Sequence, residues 1–303
     1  MKRDMYRMPR YLAVVPLIIA VFFIVSALAV NDPASFVGYG GKFAKPVAKL
    51  LGLSYYWFFL VLGIIVTIWC AILRREKYGF GIAISIVFPV LFFLQALLGA
   101  KLLFAVEKMI TAGSFSAFNM SGQSLYGTLF TTFLLAPLAA LLFRKKTLQI
   151  YDYMAPFWLI LLIFCRMGCF TDGCCGADLI HIGGKPLYLP VQLFEMTLDL
   201  VLLAVLFYFE ENKLTWHKLT GKKDKPNLYN GSLFFLMLVC YGVYRFILEW
   251  PRSNPVMFLG MTFGQIYSLI AIVIGLAVLY SRWKQYSLAL QKSQRHAHSR
   301  RRR

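Results

Sequence analysis

Ionisable side chains interrupt several long apolar stretches of this sequence. A charge inside an apolar membrane helix is costly, so such residues face the interior of a bundle or a water-filled cavity and often mark functional sites. Arginine suits a cavity that receives an anion, because its planar guanidinium binds phosphate through two parallel hydrogen bonds. The residues concerned are Lys101, Arg166, Glu195, Asp199, Arg245 and Glu249, with Arg252 just beyond a stretch.

The stretches themselves are typical of membrane-spanning helices. Hydrophobic residues make up 59% of the chain and charged residues only 15%, against roughly a quarter charged in soluble domains. Apolar runs of about 18 residues are long enough to cross the hydrocarbon core, where the backbone must be helical to satisfy its hydrogen bonds. We therefore predict an all-α, polytopic membrane helix bundle without a sizeable soluble domain. The eight predicted spans are 11–30, 55–73, 80–105, 124–143, 153–171, 190–209, 232–250 and 257–281.

Basic residues are distributed unevenly between alternate connections. With a cytoplasmic N-terminus, 23 of the 32 Lys and Arg residues fall in cytoplasmic segments and six in outer connections. This pattern follows the positive-inside rule and predicts that both termini are cytoplasmic. The net charge of +19 therefore indicates membrane orientation, and we expect no nucleic acid partner. We expect the basic tail after Trp283 to lie over anionic lipid headgroups and to be disordered beyond Gln291.

This orientation brings most polar groups of the spans to one depth. Arg166, Glu195 and Arg245 fall in the outer half of their spans, and Asp199 lies one turn deeper than Glu195. An i,i+4 pair between Arg245 and Glu249 explains two of these residues, but it leaves a surplus of cations. We interpret the surplus as an anion-binding site close to the outer surface of the membrane.

Beyond Cys165, which we place inside a span, three cysteines lie in the glycine-rich segment 165–176, which predicts a tight re-entrant turn. The three, Cys169, Cys174 and Cys175, allow several interpretations. A zinc site would need a fourth ligand such as His181, at a spacing unlike that of known fingers. A nucleophilic thiol would need an activating base, for which His181 is again the nearby candidate. We favour packing of the thiols, or one disulfide on the oxidising side, and we predict no metal.

Five segments, taken in order, resemble motifs of the prolipoprotein diacylglyceryl transferases. The string from Arg166 to Gly176, Arg-Met-Gly-Cys-Phe-Thr-Asp-Gly-Cys-Cys-Gly, resembles a loop of that family. Four further segments are similar to family motifs: Gly99-Ala-Lys101, Pro190-Val-Gln-Leu-Phe-Glu195, Tyr241-Gly-Val-Tyr-Arg-Phe-Ile-Leu-Glu-Trp-Pro-Arg252 and Gly264-Gln-Ile-Tyr-Ser268. The resemblance covers the chain from about residue 55 to residue 280.

The resemblance implies a reaction and a site. Members of this family move the diacylglyceryl group of phosphatidylglycerol to the lipobox cysteine thiol of an exported prolipoprotein, at the outer face of the bacterial plasma membrane. It implies no cofactor. The catalytic residues that it implies are Tyr126, Arg166, Arg245 and Glu249. The substrate-binding residues that it implies are Lys101, Gly173, Gln192, Glu195, Tyr241, Arg252 and Gln265.

The sequence departs from the family pattern at three positions. Tyr126 stands where familiar members have histidine, Cys169 where they have asparagine, and Cys174 where glutamate is common. We hypothesise that Tyr126, close to Arg166 or Arg245, helps the acceptor thiol to lose its proton. The alternative is that its ring packs at the membrane interface. The departures also leave open a different acceptor or reaction at the same lipid site, or a non-catalytic lipid-binding protein.

The chain divides into three predicted parts. Residues 1–50 form an additional N-terminal membrane helix, which we expect to be retained and not cleaved as a signal peptide, and an outer loop. Residues 51–283 form the transferase-like membrane domain, and 284–303 form the basic cytoplasmic tail.

The charge pattern predicts that reporter fusions at Lys185 and Lys223 report opposite sides of the membrane, because these residues fall in an outer and a cytoplasmic connection. An alkaline phosphatase fusion should be active at Lys185 and inactive at Lys223. Activity of this reporter at both positions would contradict the eight-span topology.

Overall fold

The computed structural model describes residues 14–19, 55–112, 122–171, 179–182, 185–188, 191–212, 231–252 and 256–301. Residues 14–19 are helical. The other described segments form, in order, α1 (Tyr55–Tyr78), α2 (Ile82–Ala112), α3 (Leu125–Leu142), α4 (Thr147–Thr171), β1 (Leu179–Ile182), β2 (Lys185–Tyr188), α5 (Val191–Asn212), α6 (Ser232–Leu248), β3 (Val256–Phe258), β4 (Met261–Thr262) and α7 (Phe263–Arg301).

Six of these helices, α1 to α5 and α7, are long and apolar enough to cross a membrane, judged by length and composition. Helix α6 is also apolar but shorter. The prediction of an all-α polytopic membrane bundle is therefore confirmed. The first predicted span, 11–30, lies mostly outside the described residues.

Helix α4 lies at the centre of the bundle. It packs against α1, α3, α5 and α6, and almost all of its apolar stretch is buried. The outer helices instead expose large apolar side chains, such as Leu134, Leu138 and Leu141 of α3. Apolar side chains on the outside and a buried central helix are what a hydrocarbon surrounding favours.

Several helices extend beyond the predicted spans. Helix α4 begins at Thr147 instead of residue 153, and α2 continues to Ala112 instead of ending at residue 105. Helix α7 continues to Arg301, so the expectation of disorder beyond Gln291 was wrong. Hydrophobicity marks only the part of a helix that crosses hydrocarbon, whereas residues such as Ala, Gln, Lys and Arg continue it into polar sequence.

Two short hairpins occupy connections between helices. Strands β1 and β2 pair antiparallel over four residues each. Strands β3 and β4 are joined by Leu259 and Gly260, both with positive φ (49° and 73°), as a two-residue turn of type I′ requires. The last span was predicted to begin at residue 257. Its first residues, up to Thr262, instead belong to this hairpin, and α7 begins at Phe263.

A buried ion pair joins α1 to α5 at the end of the bundle where α4 begins. Nε and Nη2 of Arg74 donate to the Glu210 carboxylate at 3.0 and 2.8 Å, and Tyr78 donates its hydroxyl to the same carboxylate at 2.6 Å. Arg74 also donates to the carbonyl oxygens of Tyr153 and Asp152 in α4, at 2.7 and 3.0 Å. These five residues, the inner cluster, tie α1, α4 and α5 together.

The Asp152 side chain connects α6 to the inner cluster. Its oxygens accept hydrogen bonds from the backbone N–H groups of Gly231, Leu233 and Phe234 at 2.7, 3.0 and 3.1 Å. These donors belong to the start of α6, where the helix itself offers no acceptors. The sequence analysis did not single out this cluster, because its arginine was counted among the cytoplasmic surface charges.

Removing one partner of the Arg74–Glu210 pair should strongly destabilise the protein. Glu210→Ala leaves a buried guanidinium without its counter-charge, which typically costs about 3–5 kcal/mol. We expect a clear fall in the melting temperature of the detergent-solubilised protein. The double variant R74M/E210L removes both charges and should recover most of the loss. Glu76→Ala, at an exposed carboxylate, is the control, and a wild-type melting temperature for Glu210→Ala would contradict the prediction.

Candidate functional site

Three arginines and two glutamates converge at the other end of the bundle. Arg166 lies in the last two turns of α4, Glu195 in the first turn or two of α5, and Arg245 in the last turn of α6. Glu249 and Arg252 directly follow α6. All five side chains are at most 9% exposed. We call these five residues the arginine cluster.

The Glu195 carboxylate is the centre of the arginine cluster. Its Oε1 accepts hydrogen bonds from Arg166 at 2.7 Å and from the Tyr241 hydroxyl at 3.2 Å. Its Oε2 accepts from Arg252 at 2.8 Å and lies 3.6 Å from Nη1 of Arg245. One buried carboxylate therefore contacts three guanidinium groups, and the position of each arginine depends on it.

Glu249 contacts Arg245 from another side. Its Oε2 lies 2.7 Å from Nη2 of Arg245, which is the i,i+4 pair expected from the sequence. Its Oε1 accepts a hydrogen bond from the Thr262 hydroxyl at 3.3 Å. A Cβ atom added to Gly264 would lie 2.7 Å from Cδ and Oε1 of Glu249. The start of α7 thus has room for this carboxylate because residue 264 is glycine.

The arginines retain donors that no described residue satisfies. Nε of Arg166, Arg245 and Arg252, and Nη1 of Arg245, are buried and have no hydrogen bond among the residues that the structure describes. Buried N–H groups are normally paired, and the three guanidinium charges of the cluster exceed its two carboxylates. This arrangement fits an anionic ligand, and guanidinium donors match the oxygens of phosphate.

Arg252 lies beyond the membrane-spanning part of α6. Burial, together with the positive charges of Arg245 and Arg166, lowers the pKa of Arg252 to about 10. The side chain is still protonated at neutral pH. Positive charge is therefore concentrated unfavourably at this end of the bundle, and an anion bound there would relieve the repulsion.

Tyr126 lies in the first turn of α3, and its hydroxyl reaches Ser268 of α7. The two oxygens are 2.5 Å apart. Because the Ser268 hydroxyl donates to the carbonyl of Gly264 at 2.7 Å, the phenol donates to the serine. The Tyr126 ring centre lies 6.1 Å from that of Tyr241 and 5.5 Å from that of Tyr267. These contacts favour the packing alternative, and the base role of Tyr126 stays a prediction.

The residue after Tyr126 fixes α3 against α2. A Cβ atom on Gly127 would collide with the carbonyl of Gly99, and a Cβ atom on Gly99 would collide with that of Gly127. Small residues at such a crossing let two membrane helices approach closely. The position of Tyr126 therefore depends on this pair of glycines.

The two predicted binding glutamines have different surroundings. Gln192 is fully buried, three residues before Glu195 in α5. Gln265 accepts a hydrogen bond from the N–H of Thr262 at 3.0 Å, and its own N–H donates to the Thr262 hydroxyl at 3.3 Å. This reciprocal pair is a capping box at the start of α7. Gln265 therefore holds the threonine that contacts Glu249, and its substrate contact stays a prediction.

Lys101 and Gly173 complete the set of predicted binding residues. The Lys101 ammonium lies 5.7 Å from the ring centre of Phe104, and Lys108 lies at the same distance from that ring. Both lysines belong to the second half of α2. Gly173 lies outside the residues that the structure describes.

Asp199 lies one turn beyond Glu195 in α5, as the sequence predicted, and is fully buried. The Tyr244 hydroxyl donates to its Oδ1, whereas Oδ2 has no hydrogen bond within the described part of the chain. The sequence analysis missed Tyr244. Tyr244 lies three residues after Tyr241, which contacts Glu195, so the two tyrosines lie on the same side of the helix. This spacing could have indicated Tyr244.

Cys165 and Cys169 both belong to α4. The helix continues through Cys169 to Thr171, so the first half of the predicted re-entrant segment is helical. Cys169 is buried, and the Cys165 thiol lies 3.4 Å from the Tyr56 hydroxyl. The burial of Cys169 agrees with packing, and the alternative of a disulfide stays a prediction. Cys174 and Cys175 lie outside the described residues.

Comparison with known proteins places these residues in a family context. A family model described as prolipoprotein diacylglyceryl transferase matches residues 46–281. The chain is 25% identical over 255 residues to the phosphatidylglycerol--prolipoprotein diacylglyceryl transferase 2 of Clostridium perfringens (strain 13 / Type A). This alignment covers 78% of this chain and 93% of that protein. The chain is 24% identical over 258 residues to the phosphatidylglycerol--prolipoprotein diacylglyceryl transferase of Streptococcus pyogenes serotype M5 (strain Manfredo), covering 81% and 98%.

The room left by Gly264 gives a test of how Glu249 positions Arg245. Gly264→Ala should displace the Glu249 carboxylate and weaken binding of a short-chain anionic phospholipid about tenfold, because a hydrogen bond to a charged group is worth roughly 1.5–3 kcal/mol. Calorimetric titration of the detergent-solubilised protein measures this. Gly81→Ala is the matched control, since a Cβ atom there meets no atom of the described residues within 4 Å. Equal affinities of the two variants would contradict the prediction.

Proposed function

The chain belongs to the prolipoprotein diacylglyceryl transferase family, and we propose that it moves the diacylglyceryl group of phosphatidylglycerol to the lipobox cysteine thiol of an exported prolipoprotein. The protein is a multi-pass membrane transferase. The two named relatives carry this donor and this acceptor class in their names, and the match extends over 93% and 98% of their lengths. Their reaction is therefore the first candidate for this chain.

The arginine cluster is the observation that best supports the proposal. Its three arginines are buried, and four of their N–H positions have no acceptor within the described residues. In the proposed reaction a carbon–oxygen bond to phosphate breaks, and negative charge grows on the departing glycerol phosphate. Preorganised donors in a site of low dielectric stabilise such charge strongly. Arg166 and Arg245 are the proposed phosphate clamp, and Glu249 is proposed to orient Arg245.

The other binding residues are assigned by their contacts with this clamp or by the family resemblance. Glu195 contacts the arginines directly, and the Tyr241 hydroxyl donates to Glu195, so we propose that both shape the phosphate pocket together with Arg252 and Gln192. Lys101 and Gly173 are proposed to contact the lipid donor near its headgroup. Gln265 is proposed to act through the Thr262 contact with Glu249.

The proposed location of the site is the outer face of the bacterial plasma membrane. An exported prolipoprotein presents its cysteine on that side, and the distribution of Lys and Arg predicts that the ends of α4 and α6 that carry the arginines lie there. We also propose that the basic residues after Trp283 lie near anionic headgroups on the cytoplasmic side.

A second candidate keeps the phospholipid site but changes the acceptor. Tyr126 and Cys169 favour it, because they replace residue types that familiar family members have at these positions. A phenol with an ordinary pKa near 10 is a poorer base at neutral pH than an imidazole. Complementation of a bacterial strain depleted of its own transferase separates the candidates. Growth and lipidated prolipoprotein support the first, whereas lipid turnover without prolipoprotein modification supports the second.

Removal of one arm of the proposed phosphate clamp should reduce transfer strongly. We expect Arg245→Ala to lower the rate by about 10²–10³-fold, the usual effect of losing one preorganised donor to a developing negative charge. Arg245→Lys should not restore it, because the planar fork is lost. Transfer of radiolabelled diacylglyceryl to a lipobox peptide measures the rate. A wild-type rate for Arg245→Ala would exclude this residue from the clamp.

A further inference from the structure

We propose that the carboxylate of Glu107 accepts the proton of the acceptor thiol, an inference that rests on the proposed function. The reaction needs such a group because a thiolate is the nucleophile and the free thiol is weakly reactive. Glu107 lies near the end of α2 that adjoins the start of α3. It belongs to none of the motifs that the sequence analysis singled out.

The carboxylates of the arginine cluster are poorly suited to this role. Glu195 accepts hydrogen bonds from two arginines and a tyrosine and lies close to a third arginine. Glu249 pairs with Arg245. Adding a proton to either carboxylate would break charge-assisted hydrogen bonds, which are about twice as strong as neutral ones. It would also leave buried arginines without their counter-charge.

Tyr126 is also already engaged. Its hydroxyl donates to Ser268, and the serine proton is directed to the carbonyl of Gly264. A phenol in this arrangement keeps its own proton. Among the described residues, the Gly264 carbonyl is the acceptor to which the serine hydroxyl is directed. The bond therefore ties α3 to α7 and leaves the thiol proton to another group.

Glu107 has a different environment from these groups. Its Oε1 accepts a hydrogen bond from the Ser124 hydroxyl at 2.6 Å, and the Tyr267 hydroxyl lies within range to interact with it. It forms no ion pair with an arginine among the described residues. Ser124 occupies the N-cap position of α3 without capping that helix through its side chain, so its hydroxyl serves the carboxylate instead. Glu107 is thus held by a neutral hydroxyl and not by an arginine, so it can take up a proton without leaving a buried guanidinium without its counter-charge.

Glu107 is partly exposed and adjoins the candidate site. Tyr267, whose hydroxyl interacts with Glu107, packs with its ring centre 5.5 Å from that of Tyr126 and precedes Ser268. The titratable groups that act on Glu107 are Tyr267 from α7, Glu249 from the arginine cluster and Lys108 from α2 itself. The interaction with Glu249 places the two carboxylates within electrostatic reach of each other. A peptide thiol could thus approach Glu107 while the lipid phosphate lies on the arginines.

Asp199 is the competing carboxylate, because it too has no arginine partner in the described hydrogen bonds and ion pairs. It is fully buried, however, and lies one turn further into the bundle than Glu195. Tyr244 donates to it from α6. A thiol carried on an exported peptide would have to pass the arginine cluster to reach it, whereas Glu107 is partly exposed.

The proposed step balances in atoms and charge. The thiol proton moves to Glu107 as the sulfur forms a bond to the terminal glycerol carbon of the diacylglyceryl group. The bond between that carbon and the phosphate oxygen breaks, and its electron pair leaves with glycerol phosphate. Glu107 then returns its proton to the departing phosphate or to water. No oxidant, reductant or cofactor is required.

The test compares Glu107→Gln with wild type in proteoliposomes that contain phosphatidylglycerol, using a lipobox peptide and following the rate from pH 6.5 to pH 9. We expect the variant to lose about 10²-fold in kcat at the lowest pH, within the usual range for acid–base catalysis. The loss should shrink to less than about tenfold at the highest pH, because the peptide thiol, with a pKa near 8.5, then ionises without help. Glu107→Asp keeps the carboxylate and should retain part of the activity.

Two further variants make the result specific. Glu76→Gln makes the same change at an exposed carboxylate and should leave the profile unchanged. In Asp199→Asn, any loss of kcat should stay the same as the pH rises. Three outcomes would overturn the proposal for Glu107 alone. Glu107→Gln could transfer lipid at the wild-type rate, or its loss of kcat could stay constant across the pH range. The rate could also recover with rising pH in Asp199→Asn and not in Glu107→Gln. Failure of the wild-type protein to transfer lipid to the peptide at any pH would overturn the proposed function and this inference with it.

Discussion

The geometry of the site depends on one carboxylate, that of Glu195. Inside a bundle surrounded by hydrocarbon, several arginines can stay charged and close together only if a counter-charge is shared among them. Glu195 provides it for Arg166, Arg245 and Arg252. Each guanidinium offers five N–H donors, so one carboxylate cannot satisfy three of them. The cluster is therefore stable enough to form and still has donors available for an anion.

The helices that carry this cluster are also fixed at their opposite ends. The inner cluster joins α1, α4 and α5 through Arg74 and Glu210, and Asp152 adds the start of α6. Between the two ends the contacts are apolar and aromatic, as where Trp158 meets Tyr241 with ring centres 4.6 Å apart. Apolar contacts alone discriminate weakly between helix packings in lipid. The polar ends therefore set the relative rotation and depth of α4, α5 and α6, and with them the positions of the arginines.

The sequence predicted the part of this arrangement that the cost of buried charge dictates. Arg166, Glu195 and Arg245 were expected at one depth because alternate spans run in opposite directions, and Glu249 was expected beside Arg245 because helical spacing brings i and i+4 together. Sequence spacing could not predict that Glu195 is shared by three arginines, since contacts between helices depend on how each helix is rotated. For the same reason the hydrogen bond from Tyr126 to Ser268 was not foreseen.

Other features were missed because a general rule pointed elsewhere. Basic residues at the ends of spans usually lie among headgroups, yet Arg74 is fully buried and paired. The start of α4 at Thr147 was missed because hydropathy does not mark polar helix termini. The same limit explains Glu107. A glutamate near the end of a long apolar helix is indistinguishable by sequence from a surface charge until Ser124 and Tyr267 are seen to approach it.

A site of this kind has two requirements that conflict if one group must meet both. Stabilising a departing phosphate requires concentrated positive charge, whereas a proton acceptor must be able to change its charge without disturbing its neighbours. A carboxylate that binds arginines holds their positive charge together at the site. It cannot take up a proton without releasing the arginines. Where a histidine is absent, the two tasks are compatible only if the acceptor is separate from the arginines. Glu107, held by the neutral hydroxyl of Ser124, has that separation while the Tyr267 ring, which packs against Tyr126, lies within range to interact with it.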